Sequence, residues 1–159
     1  MAEHHQVQEQ ITSRAWKVIP FFRSSNILNT VAFYKDTLST KSGPLYPSES
    51  DARFVSLSCG PMAAVNIYFQ IYDSATTEER PRGRAMVALE KPDDVVKLHE
   101  HLIECGLHRK GEKDHAIQKF GRRCDVTNVE DTPWGYRQFS MWDIDLNELQ
   151  FFSFINSDE

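Results

Sequence analysis

Residues 131–154, DTPWGYRQFSMWDIDLNELQFFSF, concentrate the side chains with most to offer a ligand. Two strand-like runs, YRQFSMW and ELQFFSF, meet at the acidic turn DIDLN, and alternation along a strand sends neighbouring side chains to opposite faces. Phe139 and Met141 then share the core side with Leu149 and Phe151, which leaves Gln138, Ser140 and Trp142 on the other face with Gln150 and Phe152. Amides, a hydroxyl and flat rings can hydrogen-bond and stack on a planar or cationic molecule. Glu148, two residues before Gln150 on the same face, is the one carboxylate placed to join them. Trp134 and Tyr136 add aromatic surface beside the hairpin.

Groups suited to covalent or metal chemistry are scattered. Cys59, Cys105 and Cys124 are odd in number and lack metal-ligand spacing, so they read as buried free thiols. His99 and His101 stand two apart on a helical stretch, point away from each other and read as surface residues. His108 and His115 lie in or beside the charged loop HRKGEKDH, a solvated turn, and His4 and His5 sit in a polar leader. No serine has a G-x-S-x-G setting and no Cys/His pair has recognisable spacing, so covalent catalysis has no support.

The elements that must position these residues read as a repeated order. Residues 17–23 are rich in strand formers; Ser25 or Asn26 then caps a helix carrying Ile27, Val31, Phe33, Tyr34 and Leu38 at helical spacing. A turn-rich loop, KSGPLYPSES, leads to ARFVSLSCG and AAVNIYFQIYD, two strand-like runs joined by a CGPM turn. A polar connector breaks the chain near residues 78–83, and the order starts over. AMVALE reads as a strand and PDDVVKLHEHLIECG as a helix whose stripe is Val95, Leu98, Leu102 and Ile103, with Gly106 at its C-terminal cap. DHAIQKFG, RRCDVTNVE, YRQFSMWD and ELQFFSF complete it as strands. The reading is a polar leader (1–14), one domain (15–154) with module one at 15–77 and module two at 83–154, and a polar tail (155–159): an α+β chain of two tandem βαβββ modules.

Composition narrows the partners. With 18 basic and 23 acidic residues and a net charge of −5, the chain lacks the basic footprint of a nucleic-acid binder. No apolar run approaches the roughly 20 residues that cross a bilayer, and MAEHHQVQEQ has no apolar signal-peptide core, which predicts a cytoplasmic protein.

Two passages carry a family resemblance. SSNILNTVAFYKDTLS resembles the first helix of the vicinal oxygen chelate superfamily (glyoxalase I, bleomycin resistance proteins, extradiol dioxygenases), with its A-F-Y-x-D-x-L signature. DTPWGYRQFSMWDIDLNELQFF resembles its closing hairpin, W-G-x-R-x-F, then D-P-D-G-N, then an apolar residue and Glu. Ile144 and Leu146 replace the usual Pro and Gly of that turn, which predicts a looser turn. The resemblance implies that the modules form a curved, cup-like mixed sheet with helices on the outer face, that the cup holds the ligand, and that the protein is a homodimer.

Members that use metal hold it with four His or Glu side chains, one from the first and one from the last strand of each module. Registration of the first helix puts Ile19 at the first seat, Asn66 or Tyr68 at the second, a residue between Arg84 and Met86 at the third, and Gln150 at the last. A neutral amide without an acid or imidazole at its partner seats predicts no metal and no other cofactor. Alternation adds Phe21 and Arg23 to the cup, giving a ligand-binding set of Phe21, Arg23, Asn66, Tyr68, Met86, Trp134, Gln138, Trp142, Gln150 and Phe152. The leading expectation is a metal-free binder of a cationic or aromatic organic molecule, as in drug sequestration by bleomycin resistance proteins. The rival is a cofactor-independent isomerase, cyclase or lyase acting on a natural-product intermediate, with Arg23, Gln150 or Tyr68 as catalytic candidates. A metal-dependent glyoxalase or dioxygenase needs ligands the sequence does not supply.

Overall fold

The computed structural model of the chain describes residues 12–72, 82–113 and 119–155. β1 (Phe21–Ser24) leads into helix α1 (Ile27–Leu38), followed by β2 (Lys41–Ser42), β3 (Tyr46–Pro47), β4 (Ala52–Cys59) and β5 (Val65–Ile71). The second half repeats the plan with β6 (Arg84–Ala88), α2 (Pro92–Glu104), β7 (His108–Arg109), β8 (Asp125–Val126), β9 (Glu130–Asp131), β10 (Tyr136–Trp142) and β11 (Glu148–Phe154). Each half builds one mixed sheet, ordered β1-β5-β4-β2 with β3 also on β4, and β6-β11-β10-β8-β7 with β9 also on β10. In both, the first strand runs parallel to the last, Phe21 opposite Tyr68 in one and Met86 opposite Gln150 in the other. The α+β fold of two modules is thus as the sequence predicts.

One face of each sheet is covered by its helix. Asn26 caps α1 by accepting a hydrogen bond from the Asn29 amide, and the helix buries Ile27, Phe33 and Tyr34 against Val55, Leu57 and Phe69. In module two, Val95 and Leu102 of α2 meet Phe139, Met141, Leu149 and Phe151. Each large apolar side chain so buried contributes about 1.5–3 kcal/mol. The core alternation predicted for β10 and β11 is what the burial shows, and the opposite face stays half-exposed.

Several boundaries differ from expectation. Residues 17–20 do not pair as strand: proline 20 has no amide to donate, and pairing starts with its carbonyl, which accepts from Tyr68 N. KSGPLYPSES is not only loop, because two-residue strands within it satisfy the outer edge of β4. CGPM closes through a 3-10 turn, Pro61–Ala63. Of the strand expected in DHAIQKFG, residues 114–118 lie outside the described residues, and Lys119 and Phe120 form a turn. RRCDVTNVE yields only the short β8 and the first residue of β9.

His99 is a correction. It is buried, its Nε2 lies 2.9 Å from the Thr127 carbonyl, and its ring packs edge-on to Phe139 at 5.2 Å. The buried stripe of α2 runs through the predicted Val95 and Leu102 with His99 between them, and the predicted Leu98 and Ile103 pack beside it, partly buried. Burial holds the His99 pKa below the usual histidine range. His108 is also less solvated than expected, its Nε2 buried without a hydrogen-bond partner, and His115 lies outside the described residues.

Candidate functional site

The face away from the helices carries two unlike surfaces. On module one, Phe21, Phe54 and Tyr68 form an aromatic triad with centroids 5.1–6.3 Å apart. Beside it the Ser56 hydroxyl donates to Asn66 Oδ1 at 2.9 Å, so Asn66 is tied to a neighbouring strand. The sequence reading missed Phe54, although alternation in ARFVSLSC points it to this face.

On module two the open face is a row of polar contacts crossing four strands. Arg84 Nη2 of β6 donates to Gln150 Oε1 of β11 at 3.4 Å, Gln150 Nε2 donates to Gln138 Oε1 of β10 at 2.7 Å, and Gln138 Nε2 donates to Glu130 Oε1 of β9 at 3.0 Å. The row therefore runs from a guanidinium through two amides to a carboxylate. Arg84 also pairs with Glu148 at 3.3 Å, and Ser140 donates to the same carboxylate at 2.8 Å. Beyond the row, Tyr136 stacks on Phe152 at 4.7 Å with Phe154 edge-on to both, and Lys110 Nζ sits 5.0 Å from the Trp142 ring.

Two shallow hollows open on this side. One of about 360 Å³ is lined by Lys110, Thr127, Glu130, Gln138 and Ser140. The other, about 320 Å³, lies where Val18 and Pro20 approach Met86 and Ala88, and Asn66 lines it too. The predicted set thus divides between them: Gln138 at the first, Asn66 and Met86 at the second, with Gln150 joining Gln138 to Met86 through its strand register. Trp134 lies apart and exposed in the turn between β9 and β10.

Arg23 faces the closing turn of module two. Its Nε and Nη2 both donate to the Asp145 carbonyl, at 3.1 and 3.0 Å, and its guanidinium lies 4.9 Å from the Tyr72 ring. That turn, 143–147, is a buried polar knot between the modules. Asp143 accepts from Tyr34 OH at 2.8 Å, from Asn147 Nδ2 at 2.8 Å and from the amides of Asp145 and Asn147 at 2.9 Å. Asn147 Nδ2 also donates to the Arg23 carbonyl, and Asn147 Oδ1 accepts from Gly83 N. Gly83 must be glycine because a Cβ there would collide with the buried Phe22 ring. Burial pushes the Asp143 carboxyl up to about 6 against the pull of its hydrogen bonds, and Tyr34 well above the usual phenol range. The turn is not looser for lacking glycine: Leu146 adopts φ +64°, the left-handed conformation glycine takes without strain.

The donors at the expected metal seats do not fit a divalent ion. Ile19 has no donor, Asn66 and Gln150 offer neutral amides already bonded, Met86 offers a thioether, and a guanidinium touches Gln150. Among the described residues no three His, Cys, Asp or Glu side chains are grouped to hold a metal. The thiols are free; Cys124 is buried and pushed up to about 12, chiefly by burial, while Cys59 and Cys105 are half-buried. Contrary to expectation there is a Cys/His contact among the described residues, Cys105 Sγ to His101 Nε2 at 3.3 Å across one turn of α2. The i, i+4 spacing was its sequence signal.

No family model matches the sequence, and no curated protein is similar to it. Solved structures are. A bleomycin-binding protein from bleomycin-producing Streptomyces verticillus, crystallised with copper(II)-bleomycin, superimposes with a TM-score of 0.60 at 18% identity, over 87% of this chain and 95% of the other. A glyoxalase/bleomycin resistance protein/dioxygenase from Nocardioides gives 0.62 at 16% identity, over 100% and 97%. The bleomycin resistance determinant encoded on transposon Tn5 gives 0.59 at 16%, over 87% and 98%. The chain therefore has the fold of these glyoxalase/bleomycin resistance/dioxygenase structures. No helix among the described residues is long and apolar enough to cross a membrane.

Proposed function

We propose that this chain is a metal-free small-molecule-binding protein that holds a planar or cationic organic ligand on the open face of its sheets, in the manner of drug sequestration. The observation that carries the reading is the row Arg84–Gln150–Gln138–Glu130. It occupies the last metal seat with hydrogen-bonding groups, and aromatic rings flank it on the same face. Such a surface recognises a ligand by stacking and by exchanging amide hydrogen bonds. The neighbours that bind bleomycin share the fold, which supports a ligand of that general kind. Arg23, one of the three candidates of the enzymatic reading with Gln150 and Tyr68, has an architectural contact here, directing two donors at a backbone carbonyl. Binding is therefore the favoured reading.

A homodimer completes the proposal. Trp16, Val18 and Met62 are 87%, 92% and 100% exposed, and a second copy would cover such apolar surface and deepen the two shallow hollows. Calorimetric titration with bleomycin tests the function: saturable binding is expected, weakened about tenfold in Phe152→Ala. No heat at high protein concentration, or unchanged affinity in that variant, would count against it.

A further inference from the structure

A third hollow lies on the helix side and adjoins the one at Val18 and Met86, with which it shares Ala64, Val65, Val87 and Ala88. It measures about 660 Å³, within the size range of small-molecule sites, and lies between the end of α1 and the flank of α2 that carries Asp94, Leu98 and His101. Its apolar walls include Leu38 of α1, Val65 of β5, Val87 of β6, Leu98 of α2 and Phe151 of β11. Leu98, predicted for the core stripe of α2, packs partly against the core and also walls this hollow.

Its charged lining is acidic. Glu90 and Asp94 contribute carboxylates, His101 of α2 adds an imidazole whose Nε2 contacts Cys105 Sγ, and no Lys or Arg lines the cavity; Lys91, next to Glu90 in sequence, is exposed and outside it. The last turn of the 12-residue α1, through Thr37 and Leu38, brings the negative end of that helix dipole to the wall. Asp93 and Asp94 in the first turn of α2 offset that helix's positive end. Cys59, also in the lining, has its thiol pushed up by burial and adds no charge.

We propose that this cleft is a second binding site, on the opposite side of the strands from the Arg84–Gln150–Gln138–Glu130 row, for an amphipathic organic cation: an apolar body against Leu38, Val65, Val87, Leu98 and Phe151, and an ammonium group toward Glu90 and Asp94. An anionic ligand of the same shape is disfavoured by the same charges, and a neutral one gains only the apolar contacts.

Titrating the full chain at neutral pH with naphthylmethylamine, naphthylmethanol and naphthoate tests this, since the three share a ring system and differ in charge. The ammonium should bind at least about fivefold tighter than the alcohol, with naphthoate weakest. The double variant Glu90→Gln/Asp94→Asn should cost the ammonium about fivefold and leave the alcohol unchanged. Leu98→Trp, which fills the cavity, should weaken both; its fold is checked by circular dichroism, and the surface-charge variant decides if it misfolds. Equal affinity for the three compounds, no binding of any, or an ammonium affinity indifferent to the double variant would overturn the proposal. So would loss of ammonium binding in Phe152→Ala with full retention in the double variant, which would put the cation on the open face.

Discussion

The closing hairpin of module two carries two polar arrays a few residues apart, and they differ in everything except chemistry. The turn 143–147 is buried, and Asp143 and Asn147 bond to both modules at once. The row through Gln138 and Gln150 is half-exposed, and its partners stay within one sheet. Burial decides what each array does. A group withdrawn from water costs about 1–3 kcal/mol if its partner is removed, whereas a half-exposed group turns to solvent. The turn therefore holds the modules together, and the row remains free to exchange its bonds with a ligand.

The sharpest way to break this contrast is Asn147→Ala. It removes the side-chain bonds to the Arg23 carbonyl and Gly83 N and one of the four donors to Asp143, and a loss of about 3 kcal/mol or more is expected, read as a melting temperature lower by roughly 10 °C. A loss near zero would mean that the turn is not the clasp between modules.

Next in size is a pH effect. Because the folded Asp143 carboxyl titrates at about 6 instead of the ordinary 3.8, the folded state holds its proton more tightly between those values. Its contribution to stability is fully present below pH 3.8 and is lost as pH rises through about 6, a decline on the order of 2–3 kcal/mol at 1.36 kcal/mol per unit. Denaturant melts of wild type and Asp143→Asn across that window isolate it: the variant should lack this part of the slope, and parallel curves would contradict the assignment.

Gln150→Ala probes the other array. It should weaken ligand binding about fivefold while changing stability by less than about 1 kcal/mol, the reverse of the Asn147 pattern. The smallest effect expected is Leu146→Gly, which relieves a left-handed leucine and should stabilise the fold by about 1 kcal/mol. Destabilisation would mean that the packing of the leucine side chain outweighs its backbone strain.

What the sequence made legible follows the range of the interactions. The core faces of β10 and β11 are written in local alternation, and the cap of α1 in Asn26. The phase of α2 is legible in Val95 and Leu102, with Leu98 and Ile103 packed beside them, but the buried His99 in the same stripe is not, because its polarity reads as surface. At the site, the amide at the last seat and the inward face of Phe152 were readable, but the row is a cross-strand feature that needs the pairing register to bring Arg84 and Glu130 to the two glutamines. The role of Arg23 was least accessible: alternation aimed it inward, yet its partner is a carbonyl 122 residues away, which no local pattern encodes.

The central claim is that the open face works by stacking and hydrogen bonding without a metal ion. The most direct test is calorimetric titration of the purified chain with metal-free bleomycin, with and without EDTA. Equal saturable affinity in both conditions is the expected result; binding that vanishes in EDTA and returns when Zn, Ni, Fe or Mn is restored to the protein would contradict it.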